Sequence, residues 1–117
     1  MKVQLQGQSL RLRIDEDELA RLLDGGVVAN ETRAPGAALG HFLRIVEGAA
    51  ATFAVGSDGW HIGLPDEDLR GYVSGLPSRD ALEFTLGGGD AALALVFEVD
   101  VRDSVRRRGP PPRRRPR

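Results

Sequence analysis

The chain has 117 residues, 41% of them hydrophobic, no cysteine and a formal net charge of −1. That length fits one small domain with a modest core, and the missing thiols exclude disulfides, thiolate-bound zinc and iron–sulfur clusters. No run approaches the roughly 20 apolar residues that a membrane-spanning helix needs. The opening "MKVQLQGQSLRLRI" alternates polar and apolar residues where a secretory signal has a continuous apolar segment, so a cytoplasmic protein with no membrane partner is expected.

Period-two alternation predicts strands at 2–6 and 10–14 around the turn "GQS". Val3, Leu5, Leu10, Leu12 and Ile14 share one face, and Lys2, Gln4, Gln6, Arg11 and Arg13 the other. A helix follows in "DEDELARLLDGG" (15–26). Asp15 is its N-cap, Glu18 completes a capping box, and the acids suit the positive end of the helix dipole. Leu19, Leu22 and Leu23 form its apolar stripe, and Gly25 and Gly26 end it. Strands are expected next at 27–33 and 41–47. Further on, alternation marks strands at 51–56 and 60–64, then a helix from Pro65 and the acids 66–68 to Gly75. "LEFTL" (82–86) and "ALALVFEVDV" (92–101) are read as the last two strands, joined by the turn "GGGD".

Shifting the sequence by 50 positions pairs Val3 with Phe53, Leu5 with Val55, Leu10 with Trp60, Leu12 with Ile62, Ile14 with Leu64, Leu19 with Leu69 and Leu23 with Val73. The expected fold is therefore mainly β (α+β). A strand-strand-helix-strand-strand unit is used twice, in halves of about 1–48 and 51–102, within one domain of residues 1–105. Eight strands and two short helices could close as a barrel or pack as a sandwich. Closure would remove exposed sheet edges, which favours the barrel. Residues 106–117, "RRRGPPPRRRPR", contain seven arginines and no acid, while all 17 acids lie in 1–105 with nine Lys and Arg. With no apolar residue to bury, this tail is expected to be disordered or polyproline-like.

Motifs that carry chemistry are missing: the chain has no phosphate-binding glycine-lysine loop, dinucleotide fingerprint or nucleophile elbow. No cofactor, metal site or catalytic residue is assigned, and an enzyme is the less favoured reading. The runs "DEDE" (15–18) and "DED" (66–68) are read as helix starts rather than metal ligands. His41 and His61 sit at polar strand positions and are expected at the surface, and Trp60 in or beside the core. The sequon "NET" (30–32) means nothing without secretion.

Two sets of basic residues stand out. Arg11, Arg13, Arg33 and Arg44, with His61, could hold a phosphorylated or carboxylated small molecule through charge-assisted hydrogen bonds. The alternative is that Arg11 and Arg13 form a solvated strand face. The tail residues Arg106, Arg107, Arg108, Arg113, Arg114, Arg115 and Arg117 could give weak, salt-sensitive contact with nucleic acid, or fold back on the acidic body. No aromatic residue interleaves them for base stacking.

The segment "MKVQLQGQSLRLRI", with "ELARLLDGG" and "ATFAVGSDGWHIGLP", resembles a family of short uncharacterised bacterial proteins that open with an MK-x-x-x-x-G-(N/Q)-S-L-R-x-R strand hairpin. The resemblance covers about residues 1–100. Gln8 stands where that family usually has asparagine, and "VRDSVRRRGPPPRRRPR" replaces its acidic, cysteine-containing end. The resemblance implies no activity and no catalytic residue. A non-catalytic binding or accessory module, monomeric or dimeric, is the expectation, with a ligand-holding enzyme or sensor as the alternative.

Overall fold

The computed structural model describes residues 1–110. Arg113, Arg114, Arg115 and Arg117 lie outside the described residues. The elements run β1 (Lys2–Gln6), β2 (Ser9–Ile14), α1 (Glu16–Leu23), β3 (Val28–Ala34), β4 (Ala37–Val46), β5 (Thr52–Gly56), β6 (Gly59–Pro65), α2 (Asp66–Val73), β7 (Leu82–Leu86), β8 (Leu93–Val99) and α3 (Val101–Arg108). Among the described residues, no helix is long and apolar enough to cross a membrane.

Eight strands form two four-stranded sheets, ordered β1-β2-β8-β7 and β3-β4-β6-β5. Each sheet joins an early hairpin to a later one through a central parallel pair. Leu12 lies beside Phe97 in the first sheet, and Leu43 beside Ile62 in the second. Parallel neighbours cannot be linked by a tight turn, so both centres depend on contacts distant in sequence. The expected barrel is not closed. Each hairpin uses one strand for the parallel pair and leaves the other at a sheet end, so β1, β7, β3 and β5 are edges.

The inner faces share one core. Leu10, Leu12, Ile14, Leu95, Phe97 and Val99 come from the first sheet, and Val28, Leu43, Ile62 and Leu64 from the second. Leu19 and Leu22 of α1 and Leu69 of α2 complete it, on the stripes that helical spacing predicts. Burying each such side chain stabilises the fold by about 1.5–3 kcal/mol relative to exposure. The α1 capping box forms as expected. The Glu18 backbone N–H donates to the Asp15 carboxylate (2.8 Å), and the Asp15 N–H donates to Glu18 (3.1 Å).

Two expectations are corrected here. The last strand ends at Val99 rather than 101, and a third helix, α3, continues through Arg108. Asp100 ends the alternation because its carboxylate accepts the N–H groups of Arg102 (2.9 Å) and Asp103 (3.3 Å), an N-cap. Arg106, Arg107 and Arg108 thus lie on a helix rather than in a disordered tail. His41 is also not at the surface: it is 4% exposed, with neither ring nitrogen hydrogen-bonded among the described residues. The register puts it on the inner face with Leu39 and Leu43, beside Trp60. The two rings meet edge to face, 5.5 Å between centroids, and burial pushes the imidazole pKa down. Trp60 is half-buried, in keeping with its expected place.

Candidate functional site

The arginines picked out in the sequence do not converge. Arg11 and Arg13 project from the outer face of the first sheet and share one acid, Glu98 of β8. Arg11 Nη1 lies 3.0 Å from Glu98 Oε2, and Arg13 Nε 2.8 Å from Oε1. Arg33, Arg44 and His61 belong to the second sheet. There His61 stacks on Phe42 (4.7 Å), its Nε2 lies 2.8 Å from Asp58 Oδ1, and Arg44 Nη2 approaches its Nδ1 at 3.4 Å. The hydrogen bond from His61 holds the Asp58 carboxyl below its ordinary pKa. Arg33, on β3, shares a shallow hollow with Asp58. Two outer faces therefore divide the five residues, and the first of these faces carries its own counter-charge.

The basic run at the end of α3 turns back on the acids of α1. Arg107 grips Asp17 with both terminal nitrogens (2.9 and 3.0 Å). Arg108 grips Glu16 in the same two-point manner (2.7 and 2.8 Å), and the Glu16 N–H donates to Asp103 Oδ2 (2.8 Å). Such planar, charge-assisted pairs are among the stronger polar contacts. The Arg108 guanidinium holds the Glu16 carboxyl below its ordinary pKa, and Arg107 does the same for Asp17. The acids at 15–18 are thus occupied by caps and arginines. No three of the described His, Asp and Glu residues cluster as metal ligands would.

Docking α3 in this way leaves its opposite side facing the loop after α2. Tyr72 fixes that loop: its hydroxyl donates to the Asp80 carbonyl (3.0 Å) and accepts from the Val99 N–H (3.3 Å). The Tyr72 ring packs edge to face on Phe97 (5.9 Å). Burial pushes the phenol pKa up, which keeps the proton that this bridge needs. Between loop and helix run two adjoining clefts, about 590 and 500 Å³, which share Ser78, Arg79, Val101 and Arg102.

These clefts form one cationic groove. Spacing of four places Val101 with Val105, and Arg102 with Arg106, side by side on α3; Pro77 and Val99 extend the apolar lining. Lys2, Arg13, Arg79, Arg102 and Arg106 face two carboxylates, Glu98 and Asp100. Glu98 is held by Arg13, and Asp100 by its helix cap. Among the described residues, Lys2, Arg79, Arg102 and Arg106 make no ion pair. The groove is therefore polar at its Lys2 end and more apolar at its Val105 end, with more cations than carboxylates along it. The Ser78 hydroxyl accepts from the Asp80 N–H (3.0 Å), and the guanidiniums beside it are groups that can hold an anion through charge-assisted hydrogen bonds.

Of this groove, sequence reasoning had singled out only Arg13 and Arg106. "VRDSVRRR" after Asp100 carries a readable helix signal, an N-cap followed by paired valines and arginines at four-residue spacing. Arg79 gave no such signal, because only the fold brings it opposite α3. No family model matches the chain, and no curated protein or solved structure matches it either.

Proposed function

We propose that this chain is a cytoplasmic, non-catalytic binding module built on an internally duplicated fold, and that its ligand is a small organic anion. The observation that carries this reading is the groove between the 77–79 loop and α3, where Arg79, Arg102 and Arg106, which make no ion pair among the described residues, lie beside Val101, Val105 and Pro77, with Lys2 in the adjoining cleft. A phosphate or carboxylate head would take two-point hydrogen bonds from Arg79 and Arg102. An apolar body would lie along the valines. A groove of this size suits a small molecule, and the lack of aromatic side chains along it favours such a ligand over stacked bases. The bidentate pairing of Arg107 and Arg108 with α1 further weakens a nucleic-acid role for the helix end.

The duplication rests on the shift of 50 and on the matching order of elements: strand, strand and helix at 2–23, and again at 52–73.

A thermal-shift titration with octyl phosphate, octanoate and inorganic phosphate tests the reading. Octyl phosphate should raise Tm with the logarithm of its concentration, and more than inorganic phosphate does. The double variant Arg79→Ala, Arg102→Ala should lose the shift. No response to any of the three anions would reject an anion-binding module, and an undiminished response in the double variant would remove the ligand from this groove.

A further inference from the structure

The four edge strands are not equally guarded. β1 carries Lys2, β3 carries Glu31 and Arg33, and β7 carries Glu83. β5, "TFAVG", carries no charge and no proline, and all five of its residues are exposed. Its pairing with β6 runs from Thr52 opposite Gly63 to Gly56 opposite Gly59 without a bulge. The surrounding stretch 48–57, "GAAATFAVGS", is also uncharged. Charges, prolines and bulges are the usual devices that stop an edge from pairing with another chain, and β5 has none of them. It is apolar as well: Val55 is 71% exposed and Phe53 38%. Leu39 (38%) adds to the apolar surface of the same sheet.

We infer that β5 is the interface of a two-fold homodimer, in which β5 pairs antiparallel with its own copy about Ala54. A second copy is the occupant that the charge pattern fits. An uncharged strand is self-complementary, whereas a charged one would bring charges of the same sign near the two-fold axis. In this register Ala54 faces Ala54 of the partner subunit, and Phe53 faces Val55 of the partner subunit, twice by symmetry. Both exposed apolar side chains lie on one face of the strand and are covered together. The two second sheets become one sheet of eight strands, whose ends are the charged β3 strands. Growth stops there, so the contact closes as a dimer instead of extending as a fibre.

Trp60 is the chain's single tryptophan, and its ring is 5.3 Å from that of Phe53, so it reports on this edge. Sedimentation from about 1 to about 200 µM should show a monomer–dimer equilibrium that follows mass action, with Trp60 emission changing over the same range. Ala54→Lys and Ala54→Asp each place like charges across the two-fold axis, and each should weaken association at least about tenfold. An equimolar mixture of these two variants should dimerise again, because Lys then faces Asp. Gln4→Lys on β1 should leave association unchanged. A monomer throughout the concentration range would overturn the inference. So would a dimer indifferent to both Ala54 substitutions, or a failure of the mixture to recover while each variant stays folded by circular dichroism.

Discussion

The two sheets have the same wiring and differ at their centres. In the first, β2 and β8 pack leucines and Phe97 side by side, and Ser9 begins the parallel pair opposite Ala94. In the second, the corresponding start is Gly59 opposite Gly40, and His41 stands beside Trp60. A Cβ on Gly59 would lie 2.0 Å from the Gly40 carbonyl oxygen, and Gly59 has φ of 137°. The second sheet therefore depends on a close backbone approach that the first does not need. The outer faces diverge too, since the first keeps its arginines paired with Glu98 and leads into the groove. The comparison teaches that one strand order can serve as a leucine-packed frame in one sheet and, in the other, accommodate a glycine-dependent close approach beside a buried histidine.

Gly59→Ala should break the comparison most severely. Left-handed backbone and steric overlap together should cost about 3 kcal/mol or more, whereas Ser9→Ala, its counterpart, should change urea stability by less than about 0.5 kcal/mol. Arg108→Ala tests the clamp that belongs to the first sheet's end of the chain. Removing its two-point contact with Glu16 should cost about 1–2 kcal/mol, with faster hydrogen exchange in residues 101–108. Tyr72→Phe should cost about 1 kcal/mol by deleting the bridge to Asp80 and Val99, and it should weaken octyl phosphate binding by loosening the loop that carries Arg79.

Two pH responses follow, with the smallest amplitudes. Burial lowers the pKa of His41, so the unfolded chain takes up a proton that the folded chain resists. Stability from this site is complete above about pH 6.5 and declines as pH falls below it. His41→Leu, which copies Leu95 at the matching place in the first sheet, should flatten that decline. Glu16 likewise has a lowered carboxyl pKa. Its contribution is present above about pH 4.3 and is lost as pH falls through the folded-state value, a step that Glu16→Gln should abolish.

Local signals made most of the frame legible. Alternation along 2–14 and 51–64 located both hairpins, Asp15 and Glu18 announced their capping box, and the leucine stripes named the buried faces of α1 and α2. Pairing between strands was not legible, because nothing local says that Leu12 will lie beside Phe97 rather than beside Leu43. The barrel expectation rested on the removal of exposed edges, and the strand pairing leaves four of them in place. α3 carries a local signal in its Asp100 cap and four-residue spacing, but "VRDSVRRR" has little apolar area to bury, and the acids of α1 that hold it lie about 90 residues earlier. The groove was half-visible for the same reason. Arg102 and Arg106 share a helix face, but Arg79 and Lys2 reach them only through tertiary structure.

The order of strands also says something about how the chain finds its fold. The second sheet is drawn wholly from residues 28–65, and the first sheet brackets it, from Lys2–Ile14 on one side and Leu82–Val99 on the other. Closing β2 onto β8 from an open chain joins Ser9 to Ala94 across a very long loop, and such distant pairings slow folding. If the inner sheet pairs first, that loop is already shortened, and the outer sheet becomes the later step. Core substitutions such as Ile62→Val should then slow refolding, whereas Val99→Ala should chiefly speed unfolding.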